Sequence, residues 1–114
     1  MSELLGIARF KFHDGKVEEY KRLSAQAKEI VQARDTGTLQ YDVFLNEDES
    51  EAIVIERYRD SEALIEHGAN MADITEAVLK TGSVEGEVLG EISDELKEKL
   101  AESPVRHFTR YLSL

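Results

Sequence analysis

Residues 52–70, AIVIERYRDSEALIEHGAN, constrain the fold of this chain more than any other stretch. From Ala52 to Tyr58 the residues alternate with a period of two, yet both faces are apolar: Val54 lies with Glu56 and Tyr58, while Ile53 and Ile55 lie with Arg57. A strand wetted on one side alternates apolar with polar, so this one is expected to be covered on both. Asp60 or Ser61 then supplies a helix N-cap, Glu62 favours the first turn, and Ala63, Leu64 and His67 share one helical face. An apolar strand thus ends in a carboxylate and a phenol, and the following helix turns an imidazole back toward them. These residues are the first candidates for a site.

The flanking segments supply the rest of a sheet and its helices. Leu4 to His13 reads as a strand with Ala8, Phe10 and Phe12 on one face and Leu5, Ile7, Arg9 and Lys11 on the other. Asp14 and Gly15 are expected to make the turn and the cap of a helix in which Val17, Tyr20, Leu23, Ala27, Ile30 and Val31 recur at helical spacing to about Arg34. Gly37 follows, where a positive φ often ends a helix. Thr38 to Leu45 alternates again, and the polar run Asn46–Glu51 suits a hairpin into the central strand. After Asn70 a short helix is predicted over Ala72–Lys80, closed by Gly82. Ser83 to Ser93 then reads as a strand with Val84, Gly86, Val88, Gly90 and Ile92 on one face, the glycines leaving room on that side or marking bends. Ser93 caps a last helix through Leu96 and Leu100, and Pro104 separates it from a final strand over Val105–Leu114.

The order strand, helix, strand, strand, helix, strand predicts an α+β, ferredoxin-like βαββαβ domain over residues 1–93, with an antiparallel sheet and helices on one side. Residues 94–114 form a helix and strand extension. On the uncovered sheet face Leu5, Ile7, Phe44, Ile53 and Ile55 are too many apolar side chains to leave in water, which predicts a homodimer packed face to face. The basic RHFTRY segment complements the acids of the fourth strand, so the last strand is expected to pair with the partner subunit.

Composition narrows the partners. With 24 acidic and 14 basic residues the formal net charge is -10, which disfavours nucleic acid and anionic membrane surfaces. The same strand and helix order serves RNA-recognition domains, but the basic, glycine-aromatic signature of their third strand is missing. The chain has no cysteine, so neither a disulfide framework nor thiolate chemistry is available to it. MSELLGIARF lacks the basic, apolar pattern of a leader, and no apolar run approaches the roughly 20 residues that span a bilayer. A soluble, cytoplasmic protein is the simplest expectation. His13, His67 and His107 show no paired-ligand spacing, and the acids of Asn46–Glu51 lack the glycine and offsets of a calcium loop, so no metal site is expected.

Three segments carry a family likeness: ARFKFHDGKVEEY, GTLQYDVFLNED and IVIERYRDSEALIEH. Together with the fourth strand they span most of residues 4–92, and the chain resembles the antibiotic biosynthesis monooxygenase-like family of dimeric α+β barrel proteins. The family includes cofactor-free quinol and anthrone oxygenases. Relatives that degrade haem use an asparagine on the first strand, a tryptophan on the second helix and a later histidine. The resemblance puts Ala8, His67 and Ala77 at those places in a chain without tryptophan, which argues against haem degradation. It also implies that the Ala8 face of the first strand and His67 border one pocket, shared with Phe10, Phe12, Tyr41, Val54, Glu56 and Tyr58.

What the resemblance implies is a monooxygenase that takes a small aromatic quinol or anthrone-like substrate and dioxygen, with no cofactor. Such chemistry asks the protein for a dry pocket, a base and hydrogen bonds, because the deprotonated substrate itself reduces oxygen. His67 would be the base, with an ordinary pKa of about 6.5 that suits the task. Glu56 would orient or charge-balance it, Tyr58 and Tyr41 would donate to substrate oxygens, and Phe10 and Phe12 would hold aromatic rings. Each residue also has a plainer reading: a packed histidine, a Glu56 paired with Arg9 or another arginine, and aromatics that only fill the core. The alternative for the whole chain is a non-catalytic dimer that binds a small ligand or acts in stress response.

Overall fold

The computed structural model describes residues 3–114. Strand β1 (Leu4–Phe12) leads to helix α1 (Val17–Arg34), the hairpin β2 (Thr38–Leu45) and β3 (Glu51–Tyr58), helices α2 (Ser61–Asn70) and α3 (Ala72–Leu79), strand β4 (Gly82–Leu89), helix α4 (Asp94–Ala101) and a short β5 (Arg106–Phe108). The sheet order is β2-β3-β1-β4-β5, with β1 antiparallel to both β3 and β4 and β2 antiparallel to β3. This is the ferredoxin-like βαββαβ arrangement with a helix and strand extension.

Register decides what faces the helices. Phe10 sits between Ala52 and Val84, Ala8 between Val54 and Gly86, and Tyr41 opposite Glu56. One cluster of Phe10, Tyr20, Ala52 and Val54 lines the sheet, and a second of Leu23, Ala27, Met71 and Ile74 joins α1 to α3. A third, of Leu4, Tyr58, Ala63, Val88 and Leu96, seats α2 and α4 at the other end of the sheet. Burial of the larger of these, Leu, Val, Ile, Phe and Met, contributes roughly 1.5–3 kcal/mol each. The opposite face carries Phe44, 56% exposed, and Ile53, 41% exposed, beside half-buried Leu5, Ile7 and Ile55.

Several local expectations need correction. The turn at Asp14 and Gly15 forms, with Gly15 at φ 75, but Asp14 caps nothing: α1 begins from Lys16 without a side-chain cap. Gly37 does not have a positive φ; it is buried because a Cβ there would stand 2.5 Å from that of Ala63, so its smallness lets α2 approach. Strand β4 stops at Leu89 rather than Ser93, because Gly90 turns the chain at φ 127. The final strand is three residues long, not ten, and pairs in parallel with β4 of its own chain, bringing Arg106 opposite Glu87. Residues 109–114 continue without regular structure, leaving Tyr111 96% exposed. Within the chain the RHFTRY segment meets the β4 acids through Arg106, 3.7 Å from buried Glu87, which also pairs with Arg9 of β1.

Candidate functional site

Strand β3 and helix α2 meet the end of α1 at a buried polar cluster. The turn between them is set by Asp60, whose carboxylate accepts from the Ala63 amide at 2.9 Å as the α2 N-cap. Two turns on, His67 projects inward between two acids. Its Nδ1 lies 2.7 Å from Asp35 Oδ2 and its Nε2 3.2 Å from Glu56 Oε1. The Tyr58 hydroxyl also donates to Glu56 Oε1. Among the described residues Glu56 Oε2 takes no hydrogen bond. The rings of Tyr58 and Tyr41 flank the imidazole with centroids at 5.3 and 6.0 Å.

This geometry fixes charge as well as position. Burial pushes the His67 pKa down, but the hydrogen bonds and charges of Glu56 and Asp35 together outweigh it, so the imidazole is held above its ordinary value. A neutral ring would face one of the carboxylates with a lone pair; the imidazolium donates to Asp35 and forms an ion pair with Glu56 at 3.2 Å. Burial also drives Asp35 upward, yet donors on Thr38, Asn70 and His67 outweigh it and keep the acid below the usual range. Tyr58 and Tyr41 are both raised, first by burial and then by the negative charge of Glu56, so they remain neutral phenols. The two carboxylates stand at opposite nitrogens of one ring, and among the described residues no cluster of three His, Asp or Glu side chains converges to hold a metal.

Beside Glu56 and His67 lies a cavity of about 340 Å³ between the sheet and helices α1 and α3. Ala8, Phe10 and Tyr41 line it with Tyr20, Met71, Ile74 and Val78. Phe12 and Tyr58 fall elsewhere: the Phe12 ring meets that of Tyr20 tilted, with centroids at 4.6 Å, and Tyr58 is sealed in the core behind Glu56, 1% exposed. Gly86 and Gly90 do not line the cavity, and Arg9 is taken up by Glu87 rather than Glu56. No lysine or arginine is among the lining residues, and Ser103, Pro104 and Val105 of the extension close one side. The remaining histidines lie away from it. His13 follows β1, and His107 Nε2 donates to the Gly90 carbonyl at 2.7 Å. A larger cleft of about 780 Å³ opens where Leu5, Leu89 and Phe108 meet Arg57 and Arg110; the acid and base it brings together are Glu3 and Arg57, a solvent-exposed ion pair at 3.5 Å.

Asp35 is the residue the sequence reading missed. A carboxylate at the C-terminal end of a long helix opposes the helix dipole, and that mismatch was the available signal.

The family model described as antibiotic biosynthesis monooxygenase matches residues 5–72, which run from the second residue of β1 past the end of α2 and include Asp35, Glu56 and His67. The chain belongs to this family. Solved structures share its fold. MupZ from Pseudomonas fluorescens is 23% identical with a TM-score of 0.86, over 98% of this chain and 88% of that one. Rv0793 from Mycobacterium tuberculosis is 25% identical with a TM-score of 0.71, over 82% and 98%. SnoaB, a cofactor-independent oxygenase from Streptomyces nogalater, is 16% identical with a TM-score of 0.70, over 82% and 96%. No curated protein matches the sequence. No helix among the described residues is long and apolar enough to cross a membrane.

Proposed function

We propose that this protein is a cofactor-independent monooxygenase that oxidises a small, uncharged aromatic substrate of the quinol or anthrone kind with dioxygen. The observation that carries the reading is the Glu56–His67 pair opening onto an apolar cavity with no lysine or arginine among its lining residues. Family membership and the likeness to a cofactor-independent oxygenase support it. The doubly held imidazolium supports Glu56, rather than His67, as the group that accepts the substrate proton, with Oε2 as the free acceptor. Glu56 takes a proton from an acidic C–H or O–H of the substrate, and the imidazolium stabilises the resulting anion electrostatically. The carbanion passes an electron to dioxygen, the radical pair combines to a peroxide at that carbon, and loss of water leaves a carbonyl. For a methylene substrate the balance is R₂CH₂ + O₂ → R₂CO + H₂O.

Oxygen uptake across a panel of quinols and anthrones tests the proposal, with the parent set beside Glu56→Gln and His67→Ala. Uptake in the parent that is lost in Glu56→Gln is the expected result. Saturable binding of the same compounds without uptake would favour the non-catalytic ligand-binding reading, and uptake unchanged in both variants would remove the proposed acid–base pair.

We further propose a homodimer in which a second copy covers the Phe44 and Ile53 face, with the exposed tail of residues 109–114 reaching the partner subunit. Glutamate at both Phe44 and Ile53 is expected to yield a monomer in sedimentation. A variant that sediments like the parent would contradict that interface.

A further inference from the structure

The loop between α1 and β2 is fastened to α2 by polar contacts that helix packing does not need. Thr36 donates to Glu66 from its amide at 2.7 Å and its hydroxyl at 3.0 Å, and Arg59 N–H donates to the Gly37 carbonyl at 2.9 Å. Next to them Asp35, with a side chain 1% exposed, accepts three hydrogen bonds. Oδ2 takes the Thr38 hydroxyl at 2.6 Å and His67 Nδ1 at 2.7 Å, and Oδ1 takes the Asn70 amide at 2.8 Å. A buried carboxylate survives only with such donors, and bonds to an ionised acceptor are the strong ones. Asp35 does not line the cavity, so it meets no substrate. What it controls is the ring. An imidazole torsion is broad and nearly two-fold, and the group bonded at one nitrogen decides which way the other points.

We propose that Asp35 is the positioning residue of the site, holding the His67 ring so that Nε2–H meets Glu56 and the ring cannot turn away when Glu56 changes charge. The proposal rests on reading Glu56 and His67 as the acid–base pair, but its test does not depend on turnover. The groups facing the ring are Asp35 from the end of α1, Glu56 and Tyr58 from β3, and Tyr41 from β2. Both phenols are neutral, so the two carboxylates set the charge of the imidazole. With Asp35 removed, only Glu56 would hold the ring, from the side where the chemistry takes place.

Imidazole ¹H and ¹⁵N resonances of the ligand-free protein read this directly. In the parent, His67 is expected to show a downfield, exchange-protected Nδ1–H across neutral pH. Asp35→Asn is expected to lose that signal and to titrate His67 at least about one pH unit lower, tenfold in proton affinity. Thr38→Val, which removes one donor but keeps the carboxylate, is expected to retain the signal, and Asp35→Glu to restore part of it. A parent ring without a protected Nδ1–H overturns the proposal even if Asp35→Asn fails to fold, as does an unchanged signal in a folded Asp35→Asn. If the resonances behave as expected and the parent consumes no oxygen with any substrate, Asp35 still positions His67 and the oxygenase reading is what fails.

Discussion

Replacing Tyr58 with phenylalanine removes a single oxygen at the junction between core and site. The Tyr58 ring is 1% exposed and its hydroxyl donates to Glu56 Oε1, the atom that also receives His67 Nε2. The ring keeps its packing against Leu4, Ala63 and Val88, so the cavity created is the size of one hydroxyl. What is lost is a hydrogen bond to a charged acceptor, about 1.5–3 kcal/mol. At roughly 4 °C of midpoint per kcal/mol for a domain slightly above 100 residues, the thermal midpoint is expected to fall by about 6–12 °C. Urea unfolding should show the same loss with an unchanged slope, because the surface exposed on unfolding is the same. A cycle with Glu56→Gln isolates the pair: the double variant should be less destabilised than the sum of the singles by about 1 kcal/mol or more. A midpoint within about 1 °C of the parent, together with additive singles, would mean that the phenol and the carboxylate are adjacent without bonding.

Two glycines should respond in opposite directions, and pH should report on the imidazole. Gly37→Ala is expected to cost about 1–3 kcal/mol by overpacking, since the new Cβ would meet that of Ala63 at 2.5 Å, whereas Gly68→Ala, in α2 with open space around it, should add about 0.5–1 kcal/mol in denaturant titrations. The His67 pKa is raised on folding, so its contribution to stability is complete below the unfolded value of about 6.5 and is lost as pH rises through the folded value. Asp35 is lowered, so its contribution is present above about 3.9 and is lost as pH falls through its folded value. Stability measured by urea titration at a series of pH values should therefore decline on the alkaline side in the parent, and a His67→Gln variant should lose that decline; a parent curve flat from neutral to alkaline pH would contradict the paired imidazolium.

The fold was legible where periodicity and turn chemistry agreed. The strand at Ala52–Tyr58, the Asp60 cap and the spacing of α1 all correspond to observed elements. Boundaries failed where one backbone angle overrode the pattern: Val88, Gly90 and Ile92 keep a period of two, but the positive φ of Gly90 ends the ladder. The last strand is shorter than the Val105–Leu114 that the sequence suggests, because only Arg106–Phe108 find a neighbour in the chain. At the site, Glu56 and His67 stood out because a polar group on an apolar face needs a reason. Asp35 is marked in the sequence only by its place against the helix dipole; its partner lies 32 residues away, and the contact depends on how α2 docks. The resemblance puts Tyr58 at the pocket together with its strand face, but alternation gives the face of a residue and not its depth beneath α2.

Isotope labelling in ¹⁸O₂ with a turned-over anthrone or quinol, in the parent and in Glu56→Gln, tests the central claim most directly. The account predicts one labelled oxygen in the product carbonyl and one in water from the parent, and no product from the variant under the same conditions. A product whose new oxygen comes from water, or one formed without dioxygen, would contradict it.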